Sequence, residues 1–176
     1  DFEFSLSDNA SGSLQLSEAG VGNRLTISAD QVLENLKKVQ LQNEVPLSES
    51  LETLSFKDDS GKRIETSFGN FSVEMETGTG KTYVYLRSIY ELNKVYGFKK
   101  FIIVVPSVAI REGVIKNLEI TFEHFQELYE NVPANFEVYD SKKLVNLANF
   151  ARSNTIQILV INIDSFTKDQ NIINQI

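Results

Sequence analysis

The sequence predicts an α/β fold, a parallel sheet whose strands are joined by crossover helices, preceded by an extension of different texture. Three observations lead there. From Phe71 onward, short apolar runs alternate with longer stretches of helical periodicity, the pattern of strands connected by helices. The helical stretches begin or end on residues with capping chemistry. A glycine-rich turn, Thr77-Gly78-Thr79-Gly80-Lys81-Thr82, separates the first apolar run from the first helix of that region.

In chain order, residues 5–22 are rich in Ser, Asn and Gly and read as a hairpin or an arm. Ser28 or Asp30 can cap a helix that carries Val32, Leu33, Leu36 and Val39 on one face and ends near Asn43. Residues 44–70 mix Pro46, serines and charges, the texture of a surface connection with room for a short hairpin about Asp59-Ser60-Gly61. Strands are expected at 71–75, 101–105, 136–139 and 156–161. Helices are expected from Lys81 to about Tyr96, closed by Gly97, from Ile110 through Tyr129 with a break, and from Ser141 to Arg152, capped by Asp140 or Ser141. The boundary falls near residue 70, with 1–70 an extension and 71–176 a partial nucleotide-binding domain. The absence of an initial Met and the polar, Asn-rich end at 171–176 suggest a piece of something larger.

Composition removes several classes of chemistry. With 176 residues, 41% of them hydrophobic, the chain is long enough for a real core. It has no cysteine and a single histidine, His124, which excludes a disulfide framework and argues against histidine-based metal or triad chemistry. No apolar run approaches the ~20 residues that cross a bilayer, and the N-terminus has no signal-like pattern, so a cytoplasmic protein is expected. The net charge of −7 argues against a surface that wraps nucleic acid broadly, while leaving room for a narrow track.

The turn at Thr77 to Thr82 is a P-loop core, Gly-x-Gly-Lys-Thr, although Met75 stands where the strict eight-residue form has glycine. Glycines let consecutive backbone N–H groups approach a polyphosphate, and the helix that follows adds the positive end of its dipole. In such a loop Lys81 reaches the β- and γ-phosphates of ATP as a point charge, and Thr82 offers a hydroxyl to Mg²⁺.

The run from Met75 to Tyr85 resembles motif I of the type III restriction enzyme Res subunit, a superfamily two helicase-like ATPase. Phe101-Ile102-Ile103-Val104-Val105-Pro106-Ser107-Val108-Ala109-Ile110-Arg111 resembles that family's motif Ia, and Val138-Tyr139-Asp140-Ser141-Lys142 and Ile161-Asn162-Ile163-Asp164-Ser165-Phe166 also fit it. The resemblance implies an incomplete first RecA-like motor domain of an ATP-dependent DNA translocase and restriction endonuclease. It also implies double-stranded DNA and a methyltransferase (Mod) subunit as partners of the full-length protein. In related translocases motif Ia touches the DNA backbone, which makes Ser107 and Arg111 DNA-binding candidates; a helix cap and a solvated charge are the alternative roles. The Asp-Glu box that holds Mg²⁺ and orients water in that superfamily is not in this sequence and is expected beyond residue 176. Asp164 follows an apolar strand but precedes Ser165, so it reads as a loop residue at the sheet's carboxyl edge. The fragment is therefore expected not to turn ATP over.

Other residues read as structural. His124 is expected to pack or hydrogen-bond at a helix break, and Tyr83, Tyr85, Tyr90 and Tyr96 to pack rather than stack on bases. Gln40 and Gln42 precede the P-loop at a spacing too long for a convincing adenine reader. Glu74 and Glu76 sit awkwardly in a strand buried on both faces. Two other functions are weighed against the motor reading: a small-molecule kinase, which needs a lid and an acceptor site, and an interaction module that keeps a P-loop as scaffold.

Overall fold

The computed structural model describes residues 20–57 and 63–166. The expected features at 5–19, Asp59-Ser60-Gly61 and 171–176 lie outside them. The chain divides into two compact units, one holding Leu25–Thr79 and the other the residues up to Arg24 together with those from Gly80 onward.

In the unit Leu25–Thr79, helix α1 (Ala29–Gln42) starts at Ser28. The Ser28 hydroxyl accepts from the Gln31 N–H while the Gln31 side chain accepts from the Ser28 N–H, a capping box that satisfies two otherwise orphaned donors. No residue of α1 is fully buried, and Val39, on its apolar stripe, is exposed. Gln40 folds over the helix end, its amide donating to Ser48 Oγ at 2.8 Å and accepting from Ser48 N–H at 2.9 Å. Both ends of that side chain are thus engaged in holding the following turn. Strands β1 (Thr53–Lys57) and β2 (Arg63–Gly69) pair antiparallel within the stretch expected to be a surface connection.

The expected strand at 71–75 does not form. Residues 71–76 have no regular secondary structure, and Phe71 and Val73 are exposed. A strand needs a neighbouring ladder for its N–H and C=O groups, and alternation supplies only the side-chain half of that requirement. The difficulty with Glu74 and Glu76 disappears with it: both lie exposed in an extended approach to the turn.

In the other unit, helix α2 (Lys81–Tyr96) leads to β3 (Lys100–Val105), α3 (Val108–Leu128), β4 (Ala134–Val138), α4 (Leu144–Arg152) and β5 (Ile156–Asn162). The three strands form a parallel sheet in the order β3-β5-β4, with Phe101 opposite Ile158 and Phe136 opposite the same residue from the other side. The last strand therefore occupies the centre. Its sequence reflects this, since Ile156, Ile158, Leu159, Val160 and Ile161 are all buried, and Gln157 is the one polar residue buried among them. Ile156, Ile158 and Val160 join Val105 from β3, Leu86, Ile89 and Tyr90 from α2, and Val114, Leu118 and Phe125 from α3 in one core.

Three boundaries differ from expectation. Helix α3 begins at Val108 and runs unbroken to Leu128, because Val114, Leu118 and Phe125 keep one buried stripe throughout. Helix α4 starts at Leu144, not Ser141, since Asp140 spends its side chain on the Lys142 N–H and its carbonyl on the Lys143 N–H, forming a turn before the helix. Strand β4 spans Ala134–Val138, shifted two residues earlier at its start. Helix α2 closes at Gly97, φ +71°, as expected of a left-handed cap. Residues 20–23 run along this unit, with Val21 N–H donating to Ala151 C=O and Asn23 Oδ1 accepting from Lys99 and Lys100 N–H.

Candidate functional site

The chain passes from one unit to the other between Thr79 and Gly80. On the first side, Thr79 closes a turn onto the Glu76 carbonyl with its N–H at 3.4 Å and its hydroxyl at 2.7 Å. Gly78 within that turn has φ +83°, a left-handed conformation that favours glycine, and the space where a Cβ would stand is open. On the second side, Gly80 has φ +87°, again with open space before it, and α2 begins at the next residue with no side-chain cap. Lys81 is exposed and Thr82 half-buried in the first turn. Within the second unit, a helix start with no side-chain cap, preceded by a glycine with open space where a Cβ would stand, has first-turn N–H groups of the kind that suit an anion.

The body of α2 holds that start in place. Leu86, Ile89 and Tyr90 are buried, and Tyr90 stacks on Phe125 and Tyr129 of α3 with ring centroids 5.0 and 5.1 Å apart. Tyr129 donates to Glu91 Oε1 at 2.6 Å, and Arg87 lies 3.7 Å from the same oxygen. Nearer the start, the Tyr83 hydroxyl bonds His124 Nε2 at 2.8 Å, and its ring lies 5.1 Å from that of Phe125. The one histidine is thus a link between helices, as expected, though on a continuous helix and not at a break. Tyr85 packs against the same core, and burial pushes its phenol above the ordinary value while the Thr82 hydroxyl opposes that shift.

Val105 and Asn162 are register partners, so β3 and β5 end side by side at the sheet's carboxyl edge. Ser107, just past β3, accepts the Ile110 N–H on its hydroxyl and caps α3. Arg111 pairs with Glu112 at 2.9 Å, its side chain 27% exposed. Ser107 thus makes the helix cap that was its alternative role, whereas Arg111 is ion-paired and largely covered instead of solvated; both stand at an edge where ligands of open α/β sheets gather. Asp164 lies exposed in a 3-10 turn, Ile163–Phe166, directly after β5. Among the described residues no group of three or more His, Cys, Asp or Glu could hold a metal ion by itself. No helix there is long and apolar enough to cross a membrane.

The family model described as "Type III restriction enzyme, res subunit" matches residues 29–175. The chain belongs to this family. It is a helicase-like P-loop domain, and its parallel sheet flanked by helices agrees with that membership. It is 41% identical, over 53% of its length, to the Type III restriction-modification enzyme StyLTI Res subunit of Salmonella typhimurium strain LT2. It is 35% identical, over 67% of its length, to the EcoP15I Res subunit of Escherichia coli. In each case the matched part is 11% of the relative's length, so this Res-family chain corresponds to a small share of those proteins.

The residue that sequence reasoning undervalued is Tyr85. Its place three residues after Thr82 was legible, because residues so spaced are neighbours on a helix. That its hydroxyl is buried was not.

Proposed function

We propose that Thr77, Gly78, Thr79, Gly80, Lys81 and Thr82 grip the phosphates of ATP, and that this chain is the nucleotide-binding part of an ATP-dependent type III restriction endonuclease. The reading is supported above all by one observation: Gly80, left-handed and with open space where a Cβ would stand, leads directly into a helix with no side-chain cap. Polyphosphate needs such a backbone approach, and a Cβ at that glycine would intrude on it. In this reading Lys81 contributes its ammonium to the terminal phosphates and Thr82 its hydroxyl to Mg²⁺. Bound Mg²⁺ supplies charge neutralisation across the phosphate oxygens.

The nucleotide-binding domain is assigned to 71–176 and residues 1–70 to an extension. In the full-length protein the motor is assigned double-stranded DNA and a methyltransferase (Mod) subunit as partners; the relatives themselves are named Res subunits of restriction-modification enzymes. Ser107 and Arg111 are assigned to phosphate contacts on the DNA backbone, which position without reading sequence. The 176-residue chain binds ATP without hydrolysing it, since its sequence contains no Asp-Glu box.

Equilibrium titration with a fluorescent ATP analogue tests the central claim. Lys81→Ala is expected to weaken binding roughly 10- to 100-fold, the worth of charge-assisted hydrogen bonds. Equal affinity in the two proteins removes Lys81 from the site. In the full-length protein, ATP hydrolysis is expected to rise with DNA and to vanish in the same variant; an ATPase indifferent to every DNA tested refutes translocation.

A further inference from the structure

Among the described residues, three buried side-chain oxygens have no hydrogen-bond partner: Tyr85 Oη, Glu137 Oε2 and Asn162 Oδ1. Tyr85 is set apart by its place. It lies in the first two turns of α2, three residues beyond Thr82 and so on the same side of the helix. It packs, partly buried, against the core cluster to which Leu86, Ile89 and Phe125 belong. A phenol O–H withdrawn from water and left without an acceptor is unfavourable, so each one in a native structure calls for an explanation. The Thr82 hydroxyl is near enough to oppose the effect of burial on the phenol, while no hydrogen bond of ordinary length and angle reaches Tyr85 Oη.

We propose that Tyr85 is a positioning residue for Thr82: its phenol O–H donates to Thr82 Oγ1 and holds that oxygen with its other lone pair directed at Mg²⁺. This rests on the assignment of Thr82 made above. A threonine hydroxyl has two acceptor positions, so one can meet a cation while the second takes a hydrogen bond. Threonine turns between staggered wells about χ1, and without a partner its hydroxyl is free to leave the ligating one. A donor fixed by packing selects the well. The buried phenol is thus a donor whose acceptor is supplied when Thr82 Oγ1 takes the ligating well.

The test compares affinity for the fluorescent ATP analogue in saturating Mg²⁺ with that in EDTA, for the parent chain, Tyr85→Phe, Thr82→Ala and the double variant. Tyr85→Phe keeps the ring and its packing. It is expected to lower affinity in Mg²⁺ about fivefold, the worth of one hydrogen bond, and to leave affinity in EDTA unchanged. Thr82→Ala is expected to lose the Mg²⁺-dependent part, and adding Tyr85→Phe to it should change nothing more. Thermal unfolding without nucleotide should show Tyr85→Phe as stable as the parent or more so, because the substitution removes an unsatisfied hydroxyl. If Tyr85→Phe leaves the Mg²⁺ effect intact while Thr82→Ala reduces it, the positioning role is refuted and the site stands. If Thr82→Ala has no effect either, the site assignment itself fails and takes this inference with it. A less stable Tyr85→Phe with an unchanged Mg²⁺ effect makes the phenol a core residue only.

Discussion

At the scale of single residues, Phe125 does the most to hold the unit together. It is 1% exposed and meets the rings of Tyr83, Tyr90, Tyr129 and His124, so it joins α2 to α3. Phe125→Ala is expected to cost about 3–5 kcal/mol in denaturant unfolding, the range for a large aromatic lost from a packed core. The P-loop residues were legible because glycine, lysine and threonine at that spacing have few other uses. Arg111 was legible only as a charge. Its pairing with the adjacent Glu112 depends on rotamers that no sequence pattern specifies. Gln40 shows the same limit: its side chain bridges to Ser48, eight residues on, through a turn in which Glu44 adopts φ +56°.

At the scale of elements, the caps of α1 and α2 were read well, and the starts of α3 and α4 and the partners of strands poorly. Ser28 and Gly97 end their helices as local chemistry requires. The Ser107 cap is expected to be worth about 1 kcal/mol, and Ser107→Ala should lower the unfolding midpoint accordingly. Gly113 lies inside α3 with open space where a Cβ would stand and with no positive φ. Gly113→Ala is therefore expected to stabilise by about 1 kcal/mol in the same measurement; a loss of stability would mean that α3 needs close backbone approach there. Residues 71–75 have the alternation of a strand and no ladder to join. Alternation is written in the segment itself, whereas a neighbouring strand is supplied by another part of the chain.

At the scale of the whole molecule, burial is uneven. The central strand β5 is enclosed on both faces, while α1 has no fully buried residue. Amide hydrogen exchange should accordingly be slowest in β5 and its partners β3 and β4, and faster in α1 and the β1–β2 hairpin. Equal protection in α1 and β5 would contradict that distribution. The sequence alone determined the class of fold, the helices and most of their caps, the P-loop core and the kinship with Res subunits. These are set by neighbours in the chain: hydrophobic period, capping hydroxyls and backbone freedom at glycine. The tertiary structure decided that the last strand enters the middle of the sheet, that 71–75 stays out of it, and that the Tyr85 phenol is buried without a partner. Those outcomes turn on which distant segments exclude water from one another, and contacts of that kind leave no mark on the spacing of residues along the chain.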